Sequence, residues 1–297
     1  MKSEESLQRI VILGHTGFIG ECLWTYFRQH SPGIEMIGCS FPTIDLTNDE
    51  QVRSLASLFD INTVIIFCSG IKKQLGDSLE IFSQNIAMTV NVCAILNEHP
   101  VKRLVYFSSA EVYGEESSNL IISEKTPINP SSYYGIAKYA SERLLQNVFR
   151  GLPDSSLLVV RPPLVYGPGD RSKGYGPTGF SWAAAKREAI TLWGEGDELR
   201  EFVFVEDLAR AVYGLTFHNY SGVVNIVTGQ SHTYHDILKI LTFLAPFEVI
   251  MNTKPRTKPK VDYRFQNDLL TCLVPTLAFA KLEEGVKQTF DKYMLSV

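Results

Sequence analysis

A surplus of charge is missing from this 297-residue chain: 28 Lys and Arg stand against 32 Asp and Glu, a net −4. That balance removes nucleic-acid binding from the main expectations. Cysteine is scarce and odd in number. Cys22, Cys39, Cys68, Cys93 and Cys272 sit inside apolar helix or strand patterns, so a disulfide framework is excluded and buried thiols in a reducing compartment are expected. No unbroken apolar run approaches the roughly 20 residues that a membrane-spanning helix needs. The polar start, Met1 to Leu7, lacks the apolar core of a signal peptide. Repeats, low-complexity stretches and heptads are also absent. His232 and His235 supply half a metal site at most, so no metal is expected. What remains is a globular protein with no membrane or nucleic-acid partner, expected in the cytoplasm.

What is there alternates. Short apolar, β-branched runs at 9–13, 34–38, 63–67, 102–107 and 156–161 are separated by helical patterns at 18–29, 48–59, 77–98 and 132–150. That order predicts an α/β fold, a doubly wound parallel sheet with helices on both faces. From about residue 166 the texture changes. Residues 166–179 hold five glycines and two prolines, and shorter helices (180–189, 206–217, 233–244, 283–293) and strands (190–193, 201–205, 223–227) follow. The expected division is therefore 1–165 and 166–297, the second a smaller mixed α/β lobe. The helices at 77–98 and 132–150 carry more apolar residues than one core-facing stripe requires, which points to burial between layers or to a homodimer bundle; the dimer is the favoured reading.

The strand at 9–13 runs into Gly14-His-Thr-Gly17-Phe-Ile-Gly20 and then a helix. Strand, glycine turn and helix are the context a dinucleotide phosphate site requires: the glycines allow a tight turn and close backbone approach, and the helix N-terminus faces the anion. Tyr134 and Lys138 lie four apart, on one face of a helix. A nearby ammonium favours a phenolate, so the sequence predicts a tyrosine that exchanges protons below its usual pKa of about 10. Ser109 adds a hydroxyl, and the trio can oxidise an alcohol or reduce a ketone beside a nicotinamide.

Together these motifs resemble the extended short-chain dehydrogenase/reductases, the NAD(P)-dependent nucleotide-sugar epimerase/dehydratase family. The likeness runs nearly end to end: Gly14 to Gly20, Asp45-Leu-Thr-Asn, Asn85-Ile-Ala-Met-Thr, Ser108-Ser-Ala-Glu-Val-Tyr-Gly, Tyr134-x-x-x-Lys138, Arg161-Pro-Pro-Leu-Val-Tyr-Gly-Pro-Gly, Arg200-Glu-Phe-Val-Phe-Val-Glu-Asp and Leu282-Glu-Glu-Gly-Val. It implies a Rossmann-type domain followed by a substrate lobe. The cofactor residues it implies are Gly14, Thr16, Gly17, Phe18, Ile19 and Gly20 at the turn, then Ser40, Asp45 and Leu46. Cys68, Ser69 and Gly70 follow the third strand, with Asn85, Ser108, Tyr134 and Lys138, and Arg161 and Pro162 after the last. The implied catalytic residues are Ser109, Tyr134 and Lys138, with Glu111. Ser109, Glu111 and Tyr134 meet the sugar, while Arg200 and Arg256 reach its diphosphate.

The leading expectation is C4 epimerisation of a nucleotide-diphosphate sugar through a 4-keto intermediate. The alternatives are a dehydratase or decarboxylase using Glu111, an NADPH-dependent 4-ketoreductase, and, remotely, a non-catalytic NAD(P) sensor. Ala110 stands where hexose 4,6-dehydratases have an acid, which weighs against full dehydration. Leu164 stands where many relatives have Asn, and Pro163 beside it lacks an N–H. The end of the second strand, Ile37-Gly-Cys-Ser40, offers neither the acid of an NAD binder nor an Arg or Lys for a 2′-phosphate, so NAD and NADP both stay open.

Overall fold

The computed structural model describes residues 7–115, 121–172, 174–257 and 259–296. In chain order its elements are β1 (Arg9–Leu13), α1 (Phe18–His30), β2 (Glu35–Cys39), α2 (Asp49–Arg53), β3 (Thr63–Phe67), α3 (Leu79–Glu98), β4 (Arg103–Phe107), β5 (Ile121–Ile122), α4 (Tyr133–Arg150) and β6 (Ser156–Arg161). There follow β7 (Leu164–Tyr166), α5 (Pro177–Ala185), β8 (Ile190–Trp193), β9 (Leu199–Phe204), α6 (Val205–Thr216), β10 (Gly222–Asn225), β11 (Ser231–Thr233), α7 (Tyr234–Leu244), β12 (Met251–Lys254), β13 (Arg264–Phe265), α8 (Asp268–Leu273) and α9 (Leu282–Met294). They gather into two compact units: Met1–Gly114, Ile128–Arg161 and Val212–Val224 in one, Glu115–Pro127, Pro162–Ala211 and Asn225–Val297 in the other.

The first unit is built on a sheet in the order β10-β6-β4-β3-β1-β2. From β2 to β6 every neighbouring pair is parallel. Ile10 to Leu13 are wholly buried and Val64 to Phe67 nearly so, which is why these strands read as unbroken apolar runs: helices cover both faces. Register aligns Leu13 with Cys39 and Phe67, and Phe107 with Val160. The segments after these residues therefore emerge along one edge. β1 lies between β2 and β3, so the chain's winding reverses beside β1, where open α/β sheets bind ligands. The Rossmann-type expectation holds.

Two long helices frame that edge. Ser78 caps α3 by accepting from the Ile81 N–H at 3.3 Å, and Ser132 caps α4 through the Gly135 N–H at 3.0 Å. Although the sequence has no unbroken apolar run of spanning length, α3 averages a mean hydropathy of 1.4 and by composition alone could cross a membrane. It is packed instead against α4, with Val92, Ile95 and Leu96 buried and Asn85 and Thr89 buried among them.

The second unit holds the sheet β11-β9-β7 and the pairs β12-β8 and β13-β5. Its core gathers Tyr166, Phe180, Phe202, Phe204, Tyr234, Leu238 and Val286.

Several boundaries move. The helix expected over 48–59 ends at Arg53 and is followed by a separate turn of 3₁₀ helix at Ala56–Leu58, with Asn48 capping the helix start. The helix expected at 180–189 starts at Pro177, suited to a first helical turn, and stops at Ala185 before Arg187 takes a φ of 58°. His232, expected at a helix start, lies on β11 opposite Arg200. β7, β11, β12, β13, β5 and α8 escaped the sequence reading.

Candidate active site and cofactor cradle

The glycine turn is shaped by contacts that leave no room for side chains. Gly14 has a φ of +99°, and a Cβ there would lie 2.7 Å from the Ser69 hydroxyl and 2.8 Å from its nitrogen. A Cβ on Gly20 would sit 2.0 Å from the Gly14 carbonyl. The turn closes with Gly17 N–H donating to Gly14 O at 3.1 Å, while Gly14 N–H donates to Cys39 O at 2.7 Å. Cys68 and Ser69 both donate backbone N–H groups to Leu13 O. Phe18 and Ile19 then open α1, with the Lys72 ammonium over the Phe18 ring.

Downstream, the same unit brings Ser109, Tyr134 and Lys138 together. Ser109 ends the β4 segment in extended backbone and caps a short 3₁₀ helix, accepting from the Glu111 N–H at 3.2 Å. Its hydroxyl stands near enough to Tyr134 to favour the phenolate. Tyr134 is fixed from outside its own helix, since its N–H donates to the Asp77 carboxylate at 2.9 Å. Lys138 is buried; its ammonium donates to Phe107 O at 2.7 Å and lies 5.8 Å from the Tyr134 ring centre and 5.1 Å from that of Tyr106.

The electrostatics correct one expectation. Tyr134 titrates above the ordinary tyrosine range, not below it: burial is the main cause, the Glu111 carboxylate adds to it, and the Ser109 hydroxyl works the other way. Lys138 is not among the groups that set this shift. Burial also lowers Lys138 to about 8, against the attraction of Cys68 and Glu142. Cys68 itself is pushed up to about 12 by burial.

Glu111 is exposed and ion-paired to Lys73 at 2.9 Å, and it accepts from the Ser132 hydroxyl at 3.3 Å. Ser108, the neighbour of Ser109, donates to Glu142. Glu142 is completely buried and also takes two bonds from Arg161, at 2.9 and 2.6 Å. Arg161 spends its remaining reach on the Tyr113 hydroxyl at 3.0 Å. Burial disfavours its charge, but Glu142 outweighs that and holds it above the usual arginine range. The guanidinium is thus a support beneath the site, leaving the backbone of Arg161 and Pro162 at the strand end.

A nicotinamide dinucleotide fits these residues. The turn at Gly14 to Gly20 leaves backbone alone where a pyrophosphate approaches, and a hydroxyl, a phenol and an ammonium meet at the ends of β4 and α4. Comparison with known proteins agrees. Residues 10–227 match the NAD dependent epimerase/dehydratase family. The chain belongs to that family.

Among relatives, it is 25% identical to GDP-L-fucose synthase 1 of Arabidopsis thaliana over 97% of this chain and 94% of that protein. It is 26% identical to GDP-6-deoxy-D-talose 4-dehydrogenase of Aggregatibacter actinomycetemcomitans, covering 78% and 79%. The UDP-glucose 4-epimerase of Thermus thermophilus, solved in complex with NAD, superimposes with a TM-score of 0.86 at 22% identity, covering 98% of this chain and all of that one.

Within this family member, the remaining expected residues fall as follows. Asn85 clamps the segment after β3: its side chain accepts from Ile71 N–H at 2.9 Å and donates to Ile71 O and Ile81 O, both at 3.1 Å. A Cβ on Gly70 would come 3.2 Å from the Lys138 ammonium and 3.3 Å from Asn85 Oδ1, so that segment runs close over both. Asp45 shapes its own turn, accepting from the Thr47 N–H at 2.9 Å and hydroxyl at 2.7 Å, and Leu46 O accepts from Asn91 at 2.9 Å. Ser40 accepts from the Thr16 N–H at 3.2 Å.

In the second unit, Arg200 on β9 bonds Leu199 O, Val261 O and Glu198, and lies 5.1 Å from the Tyr263 ring centre. Arg256 pairs with Asp197 and Glu198. Both arginines therefore share Glu198, an anion that any phosphate would have to displace or accept as a neighbour.

Sequence reasoning missed Asp77, Lys73, Glu142 and Glu198. Only Glu142 carried a local signal. It continues the Tyr134, Lys138 spacing by four more residues.

Proposed function

We propose that this protein oxidises and re-reduces C4 of a nucleotide-diphosphate hexose, with C4 epimerisation as the net reaction. The convergence of Ser109, Tyr134 and Lys138 beside the glycine turn carries this reading. Bound in the cradle, nicotinamide supplies the hydride acceptor and donor. Tyr134, once its own phenolic proton has passed to solvent with the positive charge of Lys138 favouring the phenolate, takes the C4 hydroxyl proton, and Ser109 holds the sugar oxygen. Lys138 supplies positive charge under the phenol and donors for ribose hydroxyls. The raised pKa of Tyr134 in the free protein suits the phenol to return that proton to the oxygen when the ketone is reduced. Arg200 is proposed to hold the diphosphate, with Arg256 beside it in sequence-distant partnership through Glu198.

The names of two relatives place chemistry at position 4, in a 4-dehydrogenase and a 4-epimerase, which supports this choice. A second reading keeps the oxidation and uses Glu111 for proton removal elsewhere on the ring. Its support is the influence of the Glu111 carboxylate on Tyr134. The ion pair with Lys73 and the lack of an acid at Ala110 argue for epimerisation first.

The protein is proposed to act as a cytoplasmic homodimer. Residues 1–165 are proposed as the dinucleotide-binding part and 166–297 as the sugar-nucleotide part, with an approximate boundary and segments that interleave, as 115–127 and 212–224 do between the two units.

The test is a panel of UDP-, GDP-, CDP- and dTDP-hexoses followed by mass spectrometry and NMR of the sugar. Epimer formation without net change in NAD(P)H is expected. Tyr134→Phe should lower kcat about 10²- to 10⁴-fold. Unchanged turnover in that variant overturns the assignment, and net NADPH consumption turns it to a ketoreductase.

A further inference from the structure

The end of β2 is built around an imidazole. Ser40, the first residue past the strand, has its hydroxyl 2.8 Å from His15 Nδ1, and the same oxygen accepts the Thr16 N–H. His15 belongs to the glycine turn, so one bond ties the turn to the strand end. Gly38 makes the arrangement possible: a Cβ there would fall 2.4 Å from His15 ring carbons. Any side chain at 38 would expel the imidazole. The ring centre also lies 5.4 Å from that of Trp24 on α1, and the Arg28 guanidinium stands 5.4 Å from the same indole.

This is where an acid in NAD-binding folds accepts the ribose 2′-hydroxyl. No carboxylate takes that part here. Glu35, the acid of β2, lies at the opposite end and pairs with Arg9. Asp45, the next acid along, turns Oδ1 back on Thr47. Ser40 Oγ accepts from Thr16 and can give its own proton to His15 Nδ1, which leaves the imidazole proton on Nε2. A protonated imidazole presents the same N–H. Nε2 has no protein partner among the described residues. A donor so placed, with a hydroxyl beside it and no anion to repel, suits a phosphate.

We propose that His15 and Ser40 read the 2′-phosphate of the dinucleotide, so that this chain prefers NADP(H) to NAD(H). The proposal rests on the dinucleotide reading above and departs from the NAD that the family's description carries.

Binding, not turnover, is the test. Fluorescence titration of the purified protein with NADPH and NADH is expected to give an affinity at least about tenfold higher for NADPH, the scale of one hydrogen bond to a charged group. Ser40→Asp should reverse the order by placing a carboxylate against the phosphate, and His15→Ala should bring the two affinities together by weakening NADPH. Circular dichroism melts of each variant report whether the fold is intact. Equal or tighter binding of NADH by the unsubstituted protein overturns this inference and leaves the sugar-nucleotide reading standing. Failure to bind either dinucleotide sinks both. A preference that survives in both folded variants removes the assignment from these two residues.

Discussion

Lys138 shows how much a single side chain's surroundings decide. The Tyr-x-x-x-Lys spacing could be read directly, and it correctly placed the two groups on one helical face. What it could not give was depth. Burial lowers the ammonium to about 8 and raises the phenol, because each charged form loses water that the sequence spacing does not count. The consequence is a pH dependence. The cation is present below about pH 8 and is lost above it, so in the free enzyme kcat/KM should decline from about pH 8 upward. A flat profile through about pH 10, two units past that value, would show that the ammonium is not needed for the rate. Asp77 and Lys73 were illegible for another reason: their partners, Tyr134 and Glu111, lie 57 and 38 residues away.

At the scale of elements, the strand-turn-helix at 9–30 was legible almost to the residue. Apolar β-branched runs, a glycine pattern and helical spacing all pointed the same way. The elements that escaped were two to six residues long and mostly at edges, such as β12, whose four residues are all exposed. Strands of that kind owe their existence to a neighbour and carry no pattern of their own. The well-specified element makes a sharp prediction. In Gly20→Ala the new methyl meets the Gly14 carbonyl at 2.0 Å, and backbone cannot yield as a side-chain tip does. The turn must open. Dinucleotide affinity should fall by about two orders of magnitude or more, on the premise that a misplaced phosphate cradle forfeits several charge-assisted bonds. Gly33→Ala, where a Cβ meets nothing within 4 Å, is the control. Calorimetry on both variants decides it.

For the whole molecule, the excess apolar character of the helices at 77–98 and 132–150 remains visible in the structure. Leu79, Val90, Ile136 and Leu144 on α3 and α4 are exposed, from 38% to 62%. A second copy covering them is the expected state, and light scattering should report twice the 33.3 kDa chain mass. Val90→Asp with Ile136→Asp should give the single chain. Stability should also depend on pH through Glu201 in the second unit. Burial raises it from 4.5 to about 7, against bonds from Thr228 and Gly229. Between those values the folded form keeps a proton that the unfolded chain has released. Stability is therefore greatest in acid and falls as pH rises through the window, by on the order of 3 kcal/mol, then levels off. The difference in unfolding free energy between the native chain and Glu201→Gln, followed by urea titration at about pH 5 and about pH 8 on either side of that window, isolates this contribution. No change in that difference would refute it.

Beneath Ser109 and Lys138, one carboxylate answers to three groups: Ser108, and both faces of the Arg161 fork. Neither member of the Glu142–Arg161 pair can be exchanged alone, since the survivor would be a bare charge sealed from water. Divergence at these two places must come as a joint replacement or not at all. The pair under Ser109 and Tyr134 therefore tolerates replacement of both members together better than the loss of either one.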